Sequence, residues 1–281
     1  EGAQRAGMPF VAGRWLGGTL TNFPEIKKRI NKLEDLTSQK EKGELGKYTK
    51  KERLLIDREI DSKMARTKNR ALVTGLISVK TSIIFARILG TTGFLVLACF
   101  TNLLTVFLGI VAFFVYVVVY GISKRKSVHG TLVGSIAGAL PPVAGYTAVS
   151  DNFDLAALLL FLILVFWQMP HFYAIAIYRF DDYKKAEIPA LPIVKGIKVT
   201  KIQIMLFILA YIFSSISLTF FNYTGYTYLV VSLFFGLGWL WVGIADFNST
   251  QDKRWARKIF LFSLVVIVSL SLLLSTSTLL P

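Results

Sequence analysis

Two acid clusters are the residues best equipped for chemistry. The stretch LLIDREIDSKMARTKNR, residues 54–70, places Asp57 and Asp61 four apart, followed by Arg66, Lys68 and Arg70. Residues i and i+4 share a helix face, so both carboxylates can address one point. The second cluster, YRFDDYKKAEIPALPIVKG, holds Asp181 and Asp182 with Lys184, Lys185 and Lys195 close by. Carboxylate oxygens bind Mg²⁺, Mg²⁺ bridges phosphate oxygens, and Lys or Arg neutralises the remaining charge. Two acid pairs facing across a helix bundle would cradle a diphosphate at a membrane surface. Solvated loop positions are the competing reading for both clusters, since neither spacing is specific by itself.

A third candidate is His171, in FWQMPHFYAIAIYR, directly after Pro170 and inside an apolar run. A polar ring at such depth is costly unless paired, which marks a site. The alternative is a core histidine bonded to a carbonyl freed by the proline. Trp167 and Gln168 are its expected neighbours. His129, in KRKSVHGTLVGS, falls near an interface.

The elements that must position these groups are apolar. The chain has 281 residues, of which 54% are hydrophobic and 17% charged, with 22 Phe, and its mean hydropathy is +0.56. Seven long apolar segments are read at about 80–99, 103–120, 132–149, 155–177, 202–220, 226–245 and 259–277. Each is long enough, or nearly so, to cross ~30 Å of hydrocarbon as a helix. GSIAGALPPVAGY, residues 134–146, adds small residues that allow close packing and two prolines expected to break or bend its helix. The fold class expected is therefore all-α, a polytopic membrane helix bundle.

Loop charges alternate. SKRKS at 123–127, the loop 179–201 and NSTQDKRWARK at 248–258 are basic, whereas TN at 101–102, SDNFD at 150–154 and FNYTGYTY at 221–228 are neutral or acidic. By the positive-inside rule the basic loops, the acid clusters and the polar N-terminal region are cytoplasmic. The net charge of +15 then reports topology and does not require nucleic acid. A single cysteine, Cys99, excludes an internal disulfide framework. The chain opens EGAQRAGMPF, with no signal peptide and no initiating Met, as a fragment would.

Residues 1–55 are polar, rich in Lys and Glu, and patterned as an αα-hairpin. EIKKRINKLEDL has helical spacing, and Thr49 with Glu52 can form a capping box. So few apolar side chains cannot build a large core alone.

From about residue 56 onward the sequence resembles the protoheme IX farnesyltransferases, or haem O synthases, of the intramembrane prenyltransferase superfamily. The carrying motifs are IDREIDSKMARTKNRALVTG, KRKSVHGTLVGSIAGALPPVAGYTAVS, WQMPHFYAIAIYRFDDYKKAEIPALPIVKG and RWARKIFLFS. The resemblance implies farnesyl transfer from farnesyl diphosphate to the 2-vinyl group of haem B, with water supplying a hydroxyl, giving haem O. It implies Mg²⁺ held by Asp57, Asp61, Asp181 and Asp182, with phosphate contacts from Arg66, Lys124 and Lys185. Asp57, Asp61 and Asp182 take catalytic roles, and His171 contacts or ligates the porphyrin iron. A bacterial inner-membrane location follows, with terminal-oxidase biogenesis as the source of protein partners and no nucleic acid for the main domain.

The family motif has an asparagine four residues before its first aspartate, where this chain has Arg53, and nine membrane helices where seven are read here. AGMPFVAGRWLGGTLTNFPEIKKRINKLEDL and GELGKYTKKERLLIDREI instead resemble a fragment of the second small-subunit ribosomal protein family. The expected organisation is a soluble ribosomal-protein-like segment, 1–55, joined at IDREID to a prenyltransferase membrane domain, 56–281, lacking its first two helices. A non-catalytic chimeric membrane protein and an RNA-binding protein are the alternatives.

Overall fold

The computed structural model describes residues 58–276, all within the second of two units into which the chain divides, Leu54–Pro281. The N-terminal hairpin expectation and Asp57 lie outside the described residues. Among the described residues every regular element is helical. A short helix α1 (Arg58–Lys63) is followed by turns and seven long helices with two short ones between them. These are α2 (Val79–Phe100), α3 (Leu103–Lys126), α4 (Gly130–Ser150), α5 (Leu155–Tyr178), α6 (Phe180–Lys185), α7 (Leu191–Val194), α8 (Ile197–Phe220), α9 (Tyr226–Ala245) and α10 (Asp252–Thr276).

All seven long helices are long and apolar enough to cross a membrane, so the chain is a multi-pass membrane protein. Their starts are set by local chemistry. Ser78, Asn102 and Asp154 each accept a hydrogen bond from a backbone N–H three residues on, satisfying donors that a helix start leaves orphaned. Three boundaries differ from the hydropathy reading. α3 runs on through the basic residues 124–126, α8 starts at Ile197 and α10 at Asp252. Hydropathy reports where lipid is, whereas a helix continues into the headgroup zone as long as its backbone bonds do. Pro141–Pro142 and Pro170 leave α4 and α5 continuous. Neighbouring helices packed on both sides hold these segments in spite of the missing N–H donors.

α5 is the hub, packed against α4, α8 and α10. The main core gathers Ile163, Met169, Tyr173 and Ile177 of α5 with Ile204, Ile208 and Tyr211 of α8, Trp239 of α9, and Trp255, Ile259 and Val266 of α10. Three indoles register this core by donating to main-chain carbonyls: Trp167 to Ser263, Trp239 to Ile259 and Trp255 to Gly243, at 2.8, 3.2 and 2.9 Å. Burying a Trp N–H without such a partner would forfeit much of the gain from its ring. α2 packs mainly on α3 and leaves Phe85, Ile88 and Leu95 exposed, the surface expected of a helix facing lipid.

One buried cation ties the loop after α9 to the bundle. Lys201 of α8 is 4% exposed, pairs with Asp252 at 2.7 Å, and donates to the carbonyls of Phe247 and Ser249 at 2.9 and 3.3 Å. Its ammonium also lies over the Trp255 ring at 5.0 Å. Replacing Lys201 by Met leaves Asp252 and two carbonyls without their donor. The expected loss is about 2–4 kcal/mol, read as earlier thermal unfolding in detergent.

Candidate active site

The basic end of the bundle carries a cavity of about 370 Å³. Its wall is assembled from five places in the sequence. α1 and the turns after it contribute Asp61, Met64, Arg66 and Arg70; α3 contributes Tyr116, Tyr120 and Lys124. α4 contributes Gly130 and Gly134, α5 contributes Phe172 and Ala176, and the segment after α5 contributes Tyr183, Ile188 and Pro189. Asp61 of the first acid cluster and the segment carrying the second thus meet across one space. An ion pair between Lys63 and Glu187, at 3.3 Å, also joins them.

Within this space Asp61 is 14% exposed and accepts a hydrogen bond from Arg70 Nη1 at 2.7 Å. The turn behind it is fixed by Thr67, buried, whose hydroxyl donates to the Asp61 carbonyl at 2.9 Å. Arg66 and Tyr183 share the cavity wall. Burial pushes the Tyr183 phenol up from its usual range, and the positive charges of Arg66 and Arg179 pull it the other way. Among the described residues the wall carries one carboxylate surrounded by Arg66, Arg70 and Lys124, a balance suited to an anion with a divalent counter-ion.

Asp181 and Asp182 are adjacent on α6 and end in different surroundings. Asp181 is exposed and held by Lys253 of α10 at 2.6 Å. The hydrogen bond and charge of Lys253, helped by Lys185 and Lys184, keep its carboxyl below the usual carboxylate range. The pairing is lost on its carboxylate side as pH falls through that depressed pKa and is present above it. Asp182 is more enclosed, 15% exposed, with Arg179 at 3.8 Å as its nearest cation. Neither carboxylate is part of the cavity wall, and Lys185 is exposed beside Asp181 rather than on that wall. Among the described residues no three His, Cys, Asp or Glu side chains are gathered as a ready metal site.

His171 sits apart from the acids. It lines a second cavity of about 370 Å³ between α4, α5 and α10, with Pro142, Leu164, Gln168, Ile267 and Leu270. Trp167 stacks on its ring at 4.9 Å, as the spacing predicts, and Phe260 packs at 4.9 Å. Its hydrogen bond runs to Ser263 Oγ, 92 residues away, and not to a carbonyl freed by Pro170. Gln168 instead turns to the Ser135 carbonyl at 3.4 Å. Phe172 borders both cavities and meets His171 edge-on.

Residues that sequence reading passed over complete the charged cavity. Tyr116 and Tyr120 stack at 5.5 Å, and the Lys124 ammonium lies 5.2 Å over the Tyr120 ring. Both tyrosines belong to a π-helical stretch, Val115–Tyr120, a local widening that recurs at functional sites and brings residues four apart more nearly into line. The i, i+4, i+8 spacing of Tyr116, Tyr120 and Lys124 is the signal that was available. Two glycines let α4 approach: a Cβ at Gly130 would lie 2.7 Å from the Lys124 Cα, and one at Gly134 would lie 2.9 Å from the Tyr120 ring.

Fold and site define a polytopic α-helical membrane protein with a charged cavity at one end of the bundle and an apolar cavity beside it. The UbiA prenyltransferase family model matches residues 55–265, and the chain belongs to that family. It is 52% identical over 221 residues to a protoheme IX farnesyltransferase of Yersinia enterocolitica, covering 78% of this chain and 75% of the relative. It is 51% identical over 228 residues to one of Sodalis glossinidius, covering 80% and 77%. The ribosomal protein S2 family model matches residues 1–79. The two matches overlap over 55–79, which contains the expected join and is consistent with a chimeric arrangement. No solved structure matches the chain.

Proposed function

We propose that this chain transfers the farnesyl group of farnesyl diphosphate to the 2-vinyl group of haem B, with addition of water, giving haem O. Its 51–52% identity to protoheme IX farnesyltransferases over three quarters of their length carries this reading. A charged cavity beside an apolar one supports it, since the donor substrate has a diphosphate head and an apolar tail.

The allylic C–O bond breaks, diphosphate leaves with the electron pair, and the vinyl carbon takes the farnesyl carbon. Water then supplies the hydroxyl and releases one proton. Mg²⁺ would be held by Asp57, Asp61, Asp181 and Asp182, with Asp181 exchanging Lys253 for the metal. Asp61 on the cavity wall fits the usual pattern, in which Mg²⁺ is bound by one or two carboxylates completed by substrate phosphates, whereas Asp181 and Asp182 stand off that wall. When bound, Mg²⁺ stabilises the charge that builds on the leaving diphosphate. Arg66 and Lys124 on the cavity wall bind and orient that diphosphate, with Lys185 adding positive charge from outside the wall, and the apolar bundle keeps water from the allylic cation until transfer is complete. His171 contacts the porphyrin. The cavity end with the basic loops faces the cytoplasm of a bacterial inner membrane, and haem O passes to terminal-oxidase biogenesis.

Incubation of the purified chain with haem B, farnesyl diphosphate and Mg²⁺ tests the reaction; absence of haem O sinks it. Asp182→Ala is expected to weaken Mg²⁺-dependent farnesyl diphosphate binding by about 10–100-fold, and Asp181→Ala by clearly less, since Asp181 is already engaged by Lys253. Equal losses, or unchanged binding in Asp182→Ala, would remove Asp182 from the metal site.

A further inference from the structure

The hydrogen bonds around His171 determine which ring nitrogen carries its proton. Ser263 is fully buried and donates its hydroxyl to the Phe260 carbonyl at 2.6 Å, an oxygen that can only accept. A serine has one O–H, so toward His171 Nδ1, at 2.7 Å, Ser263 Oγ has only lone pairs to offer. For the neutral ring, Nδ1 must therefore be the donor and Nε2 the bare nitrogen.

The surroundings keep the ring in that setting. Trp167 stacks on it and is itself anchored by donating to the Ser263 main-chain carbonyl at 2.8 Å. Phe260 and Phe172 pack against it at 4.9 and 5.2 Å. Among the described residues Nε2 has no hydrogen-bond partner, and the residue lines the apolar cavity of about 370 Å³. An imidazole with one nitrogen tied to a donor–acceptor chain and the other free is the arrangement by which proteins present histidine to a metal.

We propose that Ser263 is a positioning residue that fixes His171 as the Nδ1–H form and offers its Nε2 lone pair to the iron of a porphyrin in the apolar cavity. This rests on haem as acceptor substrate, and it adds the atom that binds, the residue that sets it and the cavity that receives the ring. It also divides the labour of the two cavities, with the anionic head of the donor on one side of Phe172 and the porphyrin on the other.

The chain has two histidines, so ring ¹⁵N labelling gives two pairs of signals, and His129→Gln assigns them. In the full chain without haem, His171 is expected to show a protonated Nδ1 and a bare Nε2. Ser263→Ala should mix or reverse this pattern, and Ser263→Thr, which keeps the hydroxyl, should restore it. A protonated Nε2 in the unsubstituted chain, or an unchanged pattern in Ser263→Ala, overturns the proposal. Ferric protoporphyrin IX is then titrated into each protein and followed by its Soret band. Ser263→Ala is expected to weaken a His171-dependent shift by about 10–100-fold. Identical Soret bands in the unsubstituted chain and His171→Ala overturn iron binding. Haem O formation by the unsubstituted chain, measured in parallel, shows independently whether the farnesyl-transfer reading stands.

Discussion

Asp61→Asn is expected to lower kcat/KM for farnesyl transfer on the order of 10²–10³-fold and to raise the Mg²⁺ concentration needed for activity. Asp61 is the one carboxylate among the described residues on the charged cavity wall, and it stands among Arg66, Arg70 and Lys124. An amide keeps its shape and one acceptor oxygen but loses the charge. Among the described residues the cavity's charged side chains are then all cationic, which still attracts diphosphate and weakens the hold on a divalent cation. Binding of farnesyl diphosphate without Mg²⁺ should therefore be retained or improved while turnover collapses. That split separates a metal role from a structural one, because loss of the Asp61–Arg70 pair by unfolding would weaken both. Turnover in Asp61→Asn within a few-fold of the unsubstituted chain would remove Asp61 from the reaction.

Gly130→Ala should be the most damaging single-methyl change near the site. The added carbon would meet the backbone of Lys124 at 2.7 Å, and backbone cannot rotate away as a side chain can. The α3–α4 turn must open, at about 1–3 kcal/mol. That movement carries Lys124, and with it the ring of Tyr120 beneath the ammonium. A shift of ~1 Å in a group that meets the reacting phosphate costs about 10²-fold in rate. The expected result is a modest fall in thermal stability with a disproportionate loss of kcat. Gly134→Ala presses on the Tyr120 ring edge and should cost less of both, since a ring can turn. Equal activity in Gly130→Ala and the unsubstituted chain would show that the turn is not held by this approach.

Sequence reading located the seven spans because hydrocarbon penalises every unpaired backbone group over a fixed thickness, a constraint written into each segment separately. Asn102 and Asp154 as helix starts are legible for the same reason, since capping acts over three residues. Of the two outcomes expected of Pro141–Pro142, a break or a bend, the break does not occur, because packing of α4 against α3 and α5 and not the α4 sequence alone decides it. Tyr116 and Tyr120 were passed over in an apolar run whose period looked like ordinary lipid-facing helix.

What the sequence by itself determined is the class of chemistry: acid clusters, flanking cations and a long apolar body, each defined by residues near one another along the chain. Only tertiary structure decided how those groups are used. Asp181 and Asp182 are neighbours in the chain, yet a helix rotates successive side chains by about 100°. One carboxylate therefore meets Lys253 and the other stays enclosed near Arg179. His171 is conspicuous in the text, but its hydrogen-bond partner lies on α10, 92 residues on. Hydrogen bonds that cross between helices depend on packing over the whole bundle, and no local window contains them.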